Sequence, residues 1–195
     1  MEPEDMGRLL NEYFSAMNDI IQYYEGTLAN ITGDALFVFF GAPDRTDDRD
    51  HALRCLHMAI EMQQKMRELQ HKWFSEGVEV PLLIRCGINT GMATVGSFGS
   101  QRRSEYSAMG MQVNLASRLE TACQPGRILI SHATWALVNE HIDCRPMGMI
   151  TVKGFARPIR AYEVDSADGT GRSAAELAET PTAKKISLDN PIRLR

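Results

Sequence analysis

Two β-prone runs separated by only two residues constrain this chain most. TLANIT at 27–32 and ALFVFF at 35–40 flank Gly33-Asp34, a dipeptide that suits a two-residue hairpin turn. The second run is almost wholly apolar, so it belongs against a core, and Asp34 projects from a tight tip. Met6, Leu9, Leu10, Tyr13, Met17, Ile20, Ile21 and Tyr24 precede the hairpin at helical spacing. They predict an amphipathic helix over about residues 4–25, started by Pro3 and stopped by Gly26.

Residues 44–50, DRTDDRD, lead into a second helical stripe of Ala52, Cys55, Leu56, Ala59, Met62, Met66, Leu69 and Trp73. Aspartates so placed are explained by helix capping and by complementing the helix dipole, without a metal. Further on, residues 80–88 and 92–98 read as a second hairpin around Asn89-Thr90-Gly91. Val113, Ala116, Leu119 and Ala122 then define a helix opened near Gly110 and ended by Pro125-Gly126. A short strand at 127–130, a short helix capped by Ser131, and strands at 144–153 and 158–164 complete the pattern. The expected architecture is α+β, with helices packed on one face of a largely antiparallel sheet. From residue 166 to 195 the chain turns to small, polar and charged residues without an aromatic, which predicts a flexible tail.

The 195 residues suffice for one core, and 44% hydrophobic with 24% charged residues is ordinary for a globular domain. A net charge of −4 gives no general attraction to nucleic acid or anionic lipid, and no aromatic-rich basic strand suggests an RNA-binding surface. No apolar stretch approaches the roughly 18 residues of a membrane span, and the N-terminus lacks a secretory pattern. A cytoplasmic chain without direct membrane contact is expected. Cys55, Cys86, Cys123 and Cys144 are widely spaced, which supports buried thiols over zinc or disulfide roles.

Four pieces stand out together: YYEGTLANITGDALFVFFGAP at 23–43, RCGINTGMATVGSFGS at 85–100, YSAMGMQVNLASRLE at 106–120 and TVKG at 151–154. In order and spacing they resemble the catalytic domain of class III nucleotidyl cyclases, over residues 2–165. The resemblance implies a ferredoxin-like βαββαβ core with extensions, dimerising head to tail with nucleotide sites at the dimer interface. It also implies the chemistry: the ribose 3′-hydroxyl attacks its own α-phosphate, releasing pyrophosphate and a cyclic 3′,5′-monophosphate. Such a displacement asks a protein mainly for positioning and charge neutralisation.

The roles come with the resemblance. Asp34 matches a metal-binding aspartate of a site holding two Mg2+ or Mn2+ ions. Asn114 and Arg118, four apart on one helix face, match the residues that orient the ribose and stabilise charge at the α-phosphate. Lys153 matches a lysine that neutralises terminal phosphates. Asn30 and Ser107 match the pair that reads the purine; Ser107 fits an adenylyl subgroup, whereas Asn30, with one donor and one acceptor set, fits neither the usual lysine nor the usual glutamate. Gly96-Ser97-Phe98-Gly99 reads as a strand-end bend rather than a phosphate cradle. ATP is the expected substrate, with GTP as the alternative base.

The family's opening strand, which carries the first metal aspartate, and its phosphate-cradling loop have no counterpart in residues 1–195. The expectation is a shortened or mis-started chain, favoured by the match at LLNEYF, 9–14, or else a degenerate domain. Two readings follow: an adenylate cyclase domain working as a homodimer, or a cyclase-homology module that dimerises or binds nucleotide without turnover.

Overall fold

The computed structural model describes residues 3–78, 82–100, 103–165 and 190–194. Helix α1 (Pro3–Tyr23) leads into strands β1 (Thr27–Thr32) and β2 (Ala35–Phe40), then α2 (Asp48–Ser75), β3 (Cys86–Ile88), β4 (Thr94–Ser100) and β5 (Arg103–Met109). Helix α3 (Met111–Ala122), β6 (Ile128–Ser131), α4 (His132–Val138), β7 (Cys144–Ile150), β8 (Ile159–Val164) and β9 (Asn190–Leu194) follow. Seven strands form a mixed sheet in the order β1-β2-β9-β3-β6-β8-β7, while β4 and β5 pair separately as a two-stranded arm. This is the expected α+β class.

The first hairpin forms as its sequence dictates, with Thr32 opposite Ala35 and the turn at Gly33-Asp34. Its apolar strand is buried on both faces. Leu36, Val38 and Phe40 enter the main core beneath α1 and α2, and Phe37 and Phe39 face a smaller cluster on the other side. Alternation along the strand demands this division. Helix α1 ends in two reverse bonds, Glu25 N–H to the Gln22 carbonyl at 3.0 Å and Gly26 N–H to the Ile21 carbonyl at 2.9 Å, the pattern of a Schellman motif. The left-handed residue in it is Glu25, at φ 57°, rather than Gly26. Gly26 has a different role: a Cβ there would lie 2.9 Å from Val38 Cγ1, so its lack of a side chain lets the chain pass against β2.

Helices cover both faces of the sheet, not one. Ile128 and Ile130 of β6 join the core with α1, α2 and α4, whereas Leu129 between them joins Leu115, Leu119 and Cys123 of α3. The approach of α3 is close because β3 carries a glycine: a Cβ on Gly87 would stand 2.0 Å from the Glu120 nitrogen and 2.5 Å from the Ala116 carbonyl oxygen.

Three other expectations are corrected. Residues 80–88 and 92–98 do not form a hairpin: residues 79–81 lie outside the described residues, the strand is only Cys86–Ile88, and it pairs with β6 in parallel and with β9, while β4 turns away to β5. The loop between them is held by the buried side chain of Asn89 rather than closed as a tight turn. Residues 166–189 of the expected tail lie outside the described residues, but Asn190–Leu194 form β9, antiparallel to both neighbours in the middle of the sheet. Composition read them as tail because five residues carry too little pattern to announce a strand, and the ladders on both sides supply the stabilisation. Finally, Asp47 sits at the N-cap of α2 without a capping hydrogen bond from its side chain; Asp48 and Asp50 occupy the first turn, and Asp50 pairs with Arg54 at 2.9 Å.

All four cysteines are free, and burial pushes their thiols up, to about 12 for Cys123 and about 11 for Cys144, which keeps them protonated and unreactive. Among the described residues, no helix is long and apolar enough to cross a membrane.

The first turns of α2 bury two histidines. His51 is fully buried, its ring nitrogens lack hydrogen-bond partners, and burial lowers its pKa, against the opposing pull of Asp48 3.9 Å away. His57 is lowered likewise, by burial and then by His141. Both are therefore neutral in the fold at pH values where the unfolded chain, with ordinary values near 6.5, already binds protons. Stability is expected to be full above about pH 6.5 and to decline as pH falls toward the lowered values. Urea midpoints of the wild type should drop between pH 7.5 and 5.5, and His51→Leu should show a shallower drop; equal slopes would show that His51 does not titrate on unfolding.

Candidate nucleotide site

The small apolar cluster on the α3 face of β2 holds the candidate purine and ribose residues in place. Phe39 and Ala108 are buried there with Phe37, Val95 and Val113 packed around them, and the Phe39 and Tyr106 rings lie 5.9 Å apart. This joins β1–β2, the β4–β5 arm and the start of α3 into one support. On it, Asn30 of β1 and Asn114 of α3 open onto the same concavity of about 240 Å3, together with Thr32, Phe37, Val113, Ala116 and Ser117. Asn30 stands opposite Phe37 in the hairpin register, so the ring floors the space beside the amide.

The other candidates are not in its lining. Ser107 is half-buried on β5 opposite Gly96, next to Ala108 of the supporting cluster. Arg118, one turn beyond Asn114, is partly buried, and among the described residues no ion pair or hydrogen bond engages its guanidinium. Lys153 is exposed in the turn after β7; the preceding Val152 is buried with Leu115 and Leu119, which puts this turn on the α3 side of the sheet. A free cation and two amides beside an apolar floor are suited to a ligand with a flat ring and an anionic end.

Asp34 belongs to a different concavity. It is exposed at the hairpin tip and lines a largely apolar cavity of about 310 Å3 with Met6, Leu9, Tyr13, Met66 and Trp73. The buried Tyr13 hydroxyl has no hydrogen-bond partner, and burial, reinforced by the charge of Asp34, pushes that phenol up. Within one protomer, then, the carboxylate and the Asn30–Asn114 pair serve separate openings. Among the described residues, no group of three His, Cys, Asp or Glu side chains is arranged to hold a metal ion.

Sequence reasoning missed the residues that hold α3. Asn89 Nδ2 donates to the Gln112 backbone carbonyl at 3.0 Å and to its Oε1 at 2.9 Å, and Arg85 Nε donates to the buried Glu120 at 2.8 Å. The signal lies in RCGINTG, whose alternate residues 85, 87 and 89 share one side of an extended chain; reading Asn89-Thr90-Gly91 as a hairpin turn hides it.

A mixed sheet with helices on both faces, a projecting two-stranded arm and a polar concavity under the hairpin define a nucleotide-cyclase type of domain. Residues 1–166 match the family described as the adenylate and guanylate cyclase catalytic domain, and the chain belongs to that family. It is 33% identical over 165 residues to adenylate cyclase 1 of Rhizobium meliloti (strain 1021), an alignment that takes in 83% of this chain and 24% of that protein. The chain thus spans about a quarter of the length of that relative. Among solved structures, the adenylyl cyclase CyaB from P. aeruginosa superposes with a TM-score of 0.83 at 44% identity, covering 84% of each chain. The guanylyl cyclase Cya2 superposes with a TM-score of 0.79 at 35% identity, covering 84% of this chain and 82% of its own.

Proposed function

We propose that this chain is the catalytic domain of an adenylate cyclase, converting ATP to 3′,5′-cyclic AMP and pyrophosphate at sites shared between two copies. The observation that carries the reading is the concavity that joins Asn30 to Asn114, one turn ahead of Arg118, which has no ion pair among the described residues. At about 240 Å3 it falls short of the roughly 300–1,000 Å3 of a complete ligand pocket, as half of a shared site should. Asp34, opening elsewhere in the same protomer, supplies the partner's half.

In this reading Asn30 and Ser107 contact the purine edge, Asn114 orients the ribose, and Arg118 meets the charge that builds on the α-phosphate as the 3′-oxygen attacks. Lys153 neutralises the terminal phosphates. Asp34 would hold Mg2+ or Mn2+, which when bound supplies charge neutralisation for the phosphates. One carboxylate suits an ion bound mainly through substrate phosphates and water, and the described residues do not complete a second ion site, so no step is assigned to one. Asn30, which matches neither residue usual at the purine-reading position, favours the alternative reading, a homology module that dimerises and binds nucleotide without turnover. Production of cyclic AMP from ATP by the full-length protein with Mg2+ or Mn2+ decides between them: tight ATP binding with no product would establish the module.

Three outcomes are expected if the reading is right. Arg118→Ala should lower kcat by about 10²-fold while changing KM little, because its interaction strengthens only as charge develops; unchanged kcat would remove Arg118 from the site. Asp34→Ala and Arg118→Ala chains, each strongly impaired alone, should regain activity when mixed, since one site of the heterodimer is intact. No recovery in a demonstrated heterodimer would exclude shared sites. Asn30→Lys should raise the ratio of ATP to GTP turnover by about tenfold, the worth of a charge-assisted bond to adenine N1 that guanine, protonated there, cannot accept; a ratio that stays level would take Asn30 off the base edge.

A further inference from the structure

Strand β3 and helix α3 meet at three points whose spacings agree. Arg85 reaches Glu120, Gly87 lies under Ala116 and Glu120, and Asn89 bonds Gln112. Four residues of strand advance about 13 Å, and the eight helical residues from Gln112 to Glu120 advance about 12 Å. The two ladders therefore run in step, antiparallel, with each alternate strand residue meeting the next turn of helix. Residues 112, 116 and 120 face β3, so Asn114 and Arg118, about 200° around the helix from 112 and 116, turn away from that strand, and Asn114 lines the concavity shared with β1 and β2. Packing of Leu115, Leu119 and Val113 holds the helix on the sheet, while the three contacts set its register along β3; Gly110 at the N-cap adds no side-chain capping bond.

The middle contact is steric and the lower one is an ion pair with a carboxylate that is 1% exposed. The upper one is the most specific. Asn89 is itself 1% exposed, and one amide nitrogen serves two oxygens of Gln112, two residues before Asn114. We infer that Asn89 is a positioning residue, which, through its donor to Gln112, fixes the first turn of α3 and with it the placement of Asn114 and Arg118. The inference rests on the reading of those two residues as nucleotide-site groups.

Asn89→Asp tests it, because the carboxylate keeps the shape and faces two acceptors without a proton to give. In the full-length protein kcat for ATP should fall about tenfold or more, the scale of a small misplacement of reacting groups, with KM within about threefold. The deficit should narrow as pH is lowered, since a protonated carboxyl again donates to Gln112; a loss of packing would not recover in this way. Amide hydrogen exchange should be faster in α3 and unchanged in α2 and α4. Asn89→Ala, which removes the donor and leaves no carboxyl to titrate, should reproduce the kcat loss with no recovery at low pH, and it serves if Asn89→Asp fails to fold. A folded Asn89→Asp protein with wild-type kcat and wild-type exchange in α3 would overturn the inference, as would a deficit independent of pH. If the wild type itself makes no cyclic nucleotide, the functional reading fails, and exchange in α3 alone then decides: acceleration confined to that helix supports the lock, and unchanged rates refute it.

Discussion

The close contact between α3 and β3 at Gly87 is the constraint on which the other arrangements depend. A helix backbone can lie on a strand backbone only where no Cβ intervenes, and here the distances leave no room for one. Because α3 comes down on that face, Leu129 of β6 and Ala161 of β8 must be turned toward it, while Ile128, Ile130 and Tyr162 are turned to the opposite helices. The three-residue strand β3 is thereby buried on both faces, as is its neighbour β6. The polar cost is contained by pairing: Glu120, forced inside by the helix's depth, is met by Arg85, since an unpartnered buried carboxylate would cost far more than the pair returns.

The same depth makes the helix useful. Its side toward β3 is taken up by Gln112, Ala116 and Glu120, which leaves the polar groups of Asn114 and Arg118, half a turn away, available to a ligand. The acid on α3 is engaged in the fold; Arg118, by contrast, keeps its guanidinium unengaged among the described residues. A cation held on a rigid element but not neutralised by it is in the right electrostatic condition to meet a phosphate. Asp34 has the opposite character, a carboxylate on an exposed turn at the mouth of an apolar cavity. In the proposed reading, a second copy of the chain is what brings these two separated halves together.

What could be read beforehand divides along the same physical line. The first hairpin, α1, α2, α3 and the Ser131 cap, whose Oγ accepts from the Thr134 amide at 3.2 Å, are written in local pattern, and they fold where the pattern places them. The face chosen by α3 is not so written: ILIS in β6 is apolar on both sides, and a strand that is hydrophobic all round does not say which helix will cover which face. Asn89-Thr90-Gly91 has the composition of a turn, yet the amide of Asn89 is spent on Gln112, a partner 23 residues away that no local rule identifies. For the candidate site, the residue types came from family resemblance. The partition into two openings, one for Asn30 with Asn114 and one for Asp34, needed the structure.

Strand β9 is the sharpest case, since a proline stands within a strand in the centre of a sheet. Proline lacks the N–H of the ladder and is confined to edges, bulges or strand starts. The registers show how the conflict is resolved. Against β2 the pairing runs from Leu194 opposite Leu36 to Asn190 opposite Phe40, with Pro191 opposite Phe39. Against β3 it stops at Ile192 opposite Ile88, because β3 is only three residues long. Pro191 is thus flanked by a strand on one side alone, and locally it occupies an edge although the strand as a whole is central. The shortness of β3, which ends where Asn89 turns away to grip α3, is what permits a proline-containing segment to complete the sheet. The device that fixes the helix and the tolerance that admits the last strand have a common origin in the three residues Cys86–Ile88.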